Sequence, residues 1–457
     1  MRQHIQDDDR SYSLLLPVVL RATRRCFRRF HVSGWEKVPG SYGRHADKSA
    51  PPASVILVTN HTCALMDPLV MLLAEGRKVV FMARADMFRK QAVARILRWL
   101  RILPIYRIRD GVSAVKRSGE TIEEAVGVLR DRCPLCLYPE GTHRPKHSLL
   151  PLGKGVCHIA LEADRQIGGE WPVYIVPAGI EYSDYFRFRP DVELQIGEPI
   201  NVTEFLADFR AECASRGEEY SEARAMNALR EQITLGLCPL FTWIPDDDNY
   251  EAILEQAKLY AALSSPLRLW ERKGFNQARI KELLKLREWQ PDKASLLFSK
   301  TLTFKKERER ARVSVFSTRH PNTPVTGGHK SSVWLSPLID TLCALFLLPV
   351  WLVCALVALP AWLPAELLAA RAKDAAWRNT RRFGVFFIMK PLLTVLVGVL
   401  SFIFLSWKIA LPLTLFAFLN GPIEVTYDLT SFMRRLLSDW RWLFHPRLRR
   451  LHDDLRV

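Results

Sequence analysis

No disulfide framework can be read from this chain. Its nine cysteines are odd in number and scattered, and several lie inside apolar runs, a usage that suits free thiols in a reducing compartment. Cys133 and Cys136 form a CxxC, but no second pair or nearby histidine follows at ligand spacing, so they are read as filling space beside a strand. An RNP-type aromatic sheet, a zinc finger and a helix-turn-helix pattern are all missing, which makes nucleic acid a poor partner. No secretory signal is expected either. The apolar run at 14–20 is short, contains Pro17, follows Asp7, Asp8 and Asp9, and lacks a small-residue cleavage site.

What is there is basic and unevenly apolar. The formal charge of +17 calls for anions: phospholipid headgroups or phosphorylated small molecules. At 457 residues the chain has room for two or three domains, or one domain plus membrane segments, and a dense apolar block follows Trp334.

In order, residues 12–31 mix apolar side chains with Arg21, Arg24, Arg25, Arg28 and Arg29. They predict a basic amphipathic helix able to lie among membrane phospholipid headgroups, followed by a Gly/Ser/Pro-rich linker to residue 53. Residues 54–200 alternate strand and helix. Strands are expected over 54–59, 79–83, 104–106, 135–138, 173–177 and 192–196, with helices over 67–73, 87–101, 119–130 and 155–163. That alternation predicts an α/β fold, a mixed sheet flanked by helices. Residues 201–301 read as a charged helical extension without a catalytic constellation, 302–333 as a basic linker, 334–420 as membrane-embedded segments and 421–457 as a basic tail.

Within 334–420 two blocks stand out. Residues 341–363 are free of charge and long enough for a ~30 Å hydrocarbon core; residues 384–419 are interrupted only by Lys390 and Lys408 among charges. Tryptophans near the edges, such as Trp334, Trp362, Trp377 and Trp407, suit interfacial anchors. Arg371, Lys373, Arg378, Arg381 and Arg382 lie between the blocks, and two single crossings would put them opposite the outer basic flanks. The expectation is therefore that each block bends at its prolines and returns as a hairpin, all basic segments facing the cytoplasm.

The chemistry concentrates in SVILVTNHTCALMDP at 54–68. A histidine leaving a buried strand, with an aspartate close behind, suits a general base and its orienting partner. Two later stretches, LYPEGTHR at 137–144 and WPVYIVPAGI at 171–180, strengthen the case. Together NHTCALMD, YPEGTHR and IVPAGI resemble, in order, the blocks of the glycerolipid acyltransferase family, which includes glycerol-3-phosphate and lysophosphatidate acyltransferases. The wider YPEGTHRPKHSLLPLGKG is similar to a fungal and bacterial glycerol-phosphate branch, as is the layout of the C-terminal apolar blocks. The likeness covers 54–199.

One departure is the spacing. Much of the family places four residues between His and Asp; here five stand between His61 and Asp67. Six steps of an ideal helix leave the two ~240° apart, so His61 is expected in the turn before the helix, with Asp67 reaching back. The resemblance implies His61 as the base that deprotonates a glycerol hydroxyl and Asp67 as the group that holds its tautomer. It also implies an acceptor-phosphate site built from Arg107, in a degenerate second block, and from Glu140, Gly141, Thr142 and Arg144. Many relatives carry Arg-Ser where this chain has His143-Arg144. Backbone N–H groups around Gly141 are candidates for the oxyanion. Lys154, at a helix start, adds charge where backbone donors favour anions. Pro177 matches a fourth block, whose proline shapes the acyl-side wall in the family. Neither Cys63 nor Ser148 sits in an elbow motif, so direct attack without an acyl-enzyme is expected.

The leading expectation is a membrane-bound acyltransferase of the inner or endoplasmic reticulum membrane. It would take acyl-CoA or acyl-carrier protein as co-substrate and glycerol 3-phosphate as acceptor, with no metal or other cofactor. Lysophosphatidate or dihydroxyacetone phosphate as acceptor is the nearest alternative. A catalytically inactive lipid-binding protein predicts damaged blocks. A metal-dependent phosphohydrolase needs carboxylates near His143 and His147, which the local pattern lacks.

Overall fold

The computed structural model describes residues 9–40, 51–76, 79–106, 112–263, 268–318, 335–419 and 421–455. They divide into two compact units. The first holds the described residues up to Phe186, then Pro190–Phe241 and Ala375–Thr380; the second holds Arg187–Arg189, Thr242–Asp374 and the residues from Arg381 on. Arg107 lies outside the described residues, as do residues 319–333 of the expected linker, whereas 302–310 are not linker but the last turns of a helix that ends at Arg310.

The first unit is built on a mixed sheet of β1 (Arg29–Ser33), β2 (Ser54–Thr59), β3 (Val80–Arg84), β4 (Ile102–Ile105), β5 (Leu135–Leu137), β6 (Val173–Tyr182), β7 (Asp191–Ile196) and β8 (Ile200–Asn201). Their order is β1-β7-β6-β2-β5-β3-β4, with β8 on β6. Every residue of β2 is buried, as an unalternating β-branched run requires when both sheet faces are covered. β2 runs parallel to β5 and β6, and β5, β3 and β4 continue the parallel set, so all five strands end at one edge.

Around this sheet lie α1 (Asp9–Arg25), α2 (Met66–Glu75), α3 (Gln91–Trp99), α4 (Val112–Arg130), α5 (Gly155–Ile167), α6 (Val202–Ser215) and α7 (Glu222–Leu237). Ile56 and Val58 point to the face where Leu129, Ile159, Leu206 and Ile233 of α4 to α7 close one core. The unit thus runs past residue 200 to Phe241. Gly179 shows why: a Cβ there would lie 2.4 Å from Leu240 Cβ, so only glycine lets the 238–241 segment seat on β6.

The N-terminal helix is shorter than expected. α1 stops at Arg25 and residues 29–33 pair in parallel with β7. Its Tyr12 and Leu20 are buried, while Leu14 and Val18 face out. The Arg101 guanidinium sits 4.5 Å above the Tyr12 ring, and burial pushes that phenol up to about 12 despite the arginine's opposing charge. The single helix expected over 87–101 is instead a short 3-10 turn at Ala85–Phe88 followed by α3.

In the second unit, α8 (Tyr250–Leu263), α9 (Leu269–Trp289) and α10 (Pro291–Arg310) pack around Ile253, Ile280, Leu283 and Phe298. There follow α11 (Leu335–Ala370), α12 (Arg378–Phe404), α13 (Trp407–Leu419), α14 (Gly421–Leu443) and α15 (Pro446–Asp453). Phe304 and Val315 share a core with Trp442 and Leu448 of the last two helices. Two helices, Leu335–Ala370 and Ala375–Phe404, are long and apolar enough to cross a membrane; α13 and α14, bent by 66°, would make a third if they formed one span.

The hairpin expectation fails for the first block, and the second block returns at a break of its own rather than at its prolines, α12 and α13 running through Pro391 and Pro412. α12 and α13 turn at Leu405–Ser406 and run back together, Ser401 Oγ lying 3.3 Å from Thr414 Oγ1 and Thr394 Oγ1 donating to Ala417 O at 3.4 Å. α11 does not return. It is one helix of 36 residues through Pro349, Pro360 and Pro364, because flanking helical hydrogen bonds and packed neighbours tolerate prolines in such segments.

Candidate active site

The site forms where β2 and β5 end. Beyond Thr59 the chain leaves the sheet through Asn60, whose side-chain amide donates to Ile180 O at 3.0 Å and accepts from Ile180 N at 2.8 Å. His61 follows directly. The turn to α2 passes through Ala64 in the left-handed region at φ 46°, a conformation unfavourable for a side chain with Cβ. That turn accommodates five residues between His61 and Asp67 and points the first turn of α2 back at the strand.

Asp67 is fully buried and saturated with donors. His61 Nδ1 donates to its Oδ2 at 2.7 Å, and Thr62 N and Cys63 N donate to the same oxygen at 2.7 and 2.8 Å. Tyr182 OH donates to Oδ1 at 2.8 Å. Four donors fix an ionised carboxylate, which fixes the imidazole tautomer and leaves Nε2 for a reactant. Burial, helped by the Asp67 charge, holds the Tyr182 hydroxyl and the Cys63 thiol well above their ordinary values. Tyr182 therefore remains a donor, and Cys63 remains a thiol unsuited to nucleophilic attack.

Glu140 comes from the turn after β5. Its Oε1 accepts His61 N and its Oε2 accepts Leu150 N, both at 2.9 Å. Burial raises its carboxyl, while those two N–H donors hold it back. Arg144 N donates to His61 O at 2.9 Å, so the 140–144 turn grips the backbone of the histidine on both sides. Arg144 Nη2 donates to Ser148 Oγ at 2.7 Å. Gly141, at φ 64°, makes the tight turn, and its N–H already donates to Tyr138 O at 3.0 Å. That donor is committed to the turn, which leaves the other N–H groups around Gly141 as the candidates for the oxyanion. Thr142 is half-buried beside it.

Rings surround the histidine. Tyr138 lies 4.3 Å from His61 at a 31° tilt, and His143 stands edge-on at 5.4 Å. Trp377, from the connector between the two long apolar helices, stands edge-on to His143 at 5.8 Å. Asn379 Nδ2 donates to Tyr185 O at 3.0 Å, which seats the same connector. A second histidine, His147, lies 3.1 Å from Tyr185 OH and 3.5 Å from Glu181 Oε1, so it does have a carboxylate neighbour, one distant in sequence. Among the described residues, no group of three or more His, Cys, Asp or Glu is placed to hold a metal ion.

The structure therefore brings His61, Asp67, Glu140, Gly141, Thr142 and Arg144 together. Lys154 is exposed at the start of α5, its O accepting His158 N at 3.0 Å. Pro177 pairs with Val58 on the face covered by α4 to α7, where a Cβ on Gly236 would come within 3.0 Å of its ring. Its contact is packing against α7 rather than a place among the rings around His61. Asn60, Tyr182, Trp377 and Asn379 were not anticipated. A weak signal existed for Tyr182, two positions past Ile180 and so on the same face of its strand.

Comparison with known proteins finds several likenesses. A family model described as acyltransferase matches residues 30–181. A Saccharomyces cerevisiae protein named glycerol-3-phosphate O-acyltransferase 2 is 29% identical over 143 residues, covering 31% of this chain and 18% of that protein. A Schizosaccharomyces pombe protein named as an uncharacterised acyltransferase is 26% identical over 127 residues, covering 28% of this chain and 18% of its own length. Each match thus spans less than a fifth of the relative. The crystal structure of the 1-acyl-sn-glycerophosphate acyltransferase PlsC from Thermotoga maritima aligns at 19% identity and a TM-score of 0.31, over 51% of this chain and 83% of that one. Residues 30–181 thus match an acyltransferase family model, in keeping with the resemblance to glycerolipid acyltransferases read from the sequence.

Proposed function

We propose that the protein is a membrane-bound O-acyltransferase that moves a fatty acyl group from acyl-CoA or acyl-carrier protein to the 1-hydroxyl of glycerol 3-phosphate, in phospholipid biosynthesis. The observation that carries the reading is the 2.7 Å bond between His61 Nδ1 and the fully buried Asp67. A neutral imidazole so held presents Nε2 as a base to a weakly acidic alcohol.

In this mechanism the acceptor hydroxyl gives its proton to His61 Nε2 as its oxygen attacks the thioester carbon. Asp67 stabilises the imidazolium without taking the proton. The tetrahedral adduct collapses, the C–S bond breaks, and the departing thiolate takes the proton from His61. Ester and free thiol are the products, the base is restored, and no acyl-enzyme forms. Glu140 keeps the histidine backbone in place through His61 N. The choice of glycerol 3-phosphate follows the name of the Saccharomyces cerevisiae relative. Arg144 is assigned to the acceptor phosphate, with Arg107 and Lys154 as further cations, and the catalytic unit is assigned to the cytoplasmic side.

A vesicle assay offering radiolabelled acyl-CoA with glycerol 3-phosphate, lysophosphatidate or dihydroxyacetone phosphate tests the reading. Transfer to glycerol 3-phosphate is expected, falling at least ~10²-fold in His61→Ala. Undiminished transfer in that variant removes the base, and transfer only to another acceptor replaces the substrate.

A further inference from the structure

α11 has the length and composition of a membrane span, yet its contacts do not suit one. At its start, Thr341 Oγ1 accepts from Trp440 Nε1 at 2.9 Å. Two residues away, Ser438 Oγ accepts Ser314 N at 2.7 Å, and Trp442 is buried with Phe304 and Val315. The start of α11 is therefore held beside the helical extension. Near its middle, Trp351 Nε1 donates to Thr430 Oγ1 at 2.9 Å. Two residues from Thr430, Asp428 is gripped by both arms of Arg189, at 2.8 and 2.9 Å. Arg189 lies in the turn between β6 and β7 and so stays within a few residues of the sheet. At its end, residues 371–374 lead from α11 into Ala375–Thr380, which belong to the catalytic unit.

Start and middle are thus each held by contacts within the second unit, and the end leads by four residues of chain into the first. No apolar helix separates those elements: the described chain from the sheet through α10 contains no helix long and apolar enough to cross. A single crossing would put the two ends of α11 on opposite sides and the Arg189–Asp428 pair near mid-bilayer, where ionised side chains are costly. α14 points the same way. It packs along α11 and carries Arg434 and Arg435 exposed, within four and five residues of the Trp351 contact at Thr430.

The faces of α11 divide accordingly. Cys354, Ala358, Ala361, Ala365 and Ala369 are buried in a seam of small residues. Leu342, Phe346, Val353 and Leu356 stand 64–82% exposed on the other side. Beyond the C-terminal end of the helix, Arg371 and Lys373 are exposed, with charge suited to anionic headgroups.

We propose that α11 does not cross the membrane but lies along its surface, apolar face in the lipid and α14 behind it toward the headgroups. The α12–α13 hairpin dips and returns, so the protein is monotopic and binds one leaflet of an anionic bilayer. This inference is independent of the choice of acyl acceptor.

Single cysteines at Lys373 and at the exposed Glu309, each in a Cys343→Ser background, test it in full-length protein in sealed vesicles of either orientation. A membrane-impermeant maleimide is expected to label both from the same side, at rates within about threefold; labelling from opposite sides overturns the proposal. A depth measurement supplies a second reading. Spin labels at Leu342, Val353 and Leu363 are expected to report equal depth to a lipid-soluble relaxant, and a clear maximum at Val353 overturns it. Both readings are made whether or not the preparation transfers acyl groups.

Discussion

The two units solve opposite problems with similar residues. In the first, apolar side chains close inward on the sheet, and the buried carboxylate that matters, Asp67, is surrounded by four donors. In the second, leucines and phenylalanines of α11 to α13 face outward, and two of the charges found among them are paired: Lys390 with Glu424, and Arg382 with Glu366 at 2.9 Å on both arms. Composition alone does not separate a buried apolar run from one facing lipid. The small-residue stripe of α11 does, because it leaves the large side chains only the other face.

Breaking the first unit's polar saturation should have the largest effect. Asp67→Asn keeps the volume but turns an acceptor into a donor toward Thr62 N or Cys63 N. Transfer should fall by roughly 10²–10⁴-fold, read as kcat with unchanged membrane association. Next comes packing: Gly179→Ala should lower stability by about 1–3 kcal/mol in denaturant melts, because Leu240 must move away. On the second unit the opposite pattern is expected. Leu356→Lys, 72% exposed in the native helix, should leave melting unchanged but weaken vesicle co-sedimentation several-fold. A loss of melting temperature there instead would show that this face is buried.

The smallest effect concerns pH. The Glu140 carboxyl is raised in the fold, so the stability linked to its protonated form is present below its ordinary value of 4.5 and is lost as pH rises through the raised one. Glu140→Gln should flatten that part of the stability profile, from pH 4.5 upward. It should also loosen His61, since a single amide oxygen replaces two carboxylate acceptors. Thermal melts across that range, paired with acyl-transfer rates, separate the two effects.

Much of the catalytic unit was legible because its signals are local. The β2 run, the Asn60-His61 exit and the Glu140-Gly141 turn lie within short stretches whose periodicity and turn chemistry are visible in the letters. β1 escaped because RFHVS is short, basic and adjacent to a stronger helical pattern, and its pairing with β7 lies some 160 residues away. Trp377 and Asn379 escaped for a different reason: nothing in a basic connector between apolar blocks indicates a docking point beside a histidine. The failed expectation of a hairpin in the first block came from treating its prolines as breaks, when the surrounding segment carries them within one helix.

One strand ties these features together. β6 offers Ile180 to the Asn60 amide and, two positions later, Tyr182 to Asp67. A slip of β6 by a single position would turn that phenol to the opposite surface of the sheet and unfasten Asn60 in the same movement. Alignment of a distant strand therefore acts as a gauge for the proton acceptor, and chemistry is possible only when the sheet has assembled in its one correct phase.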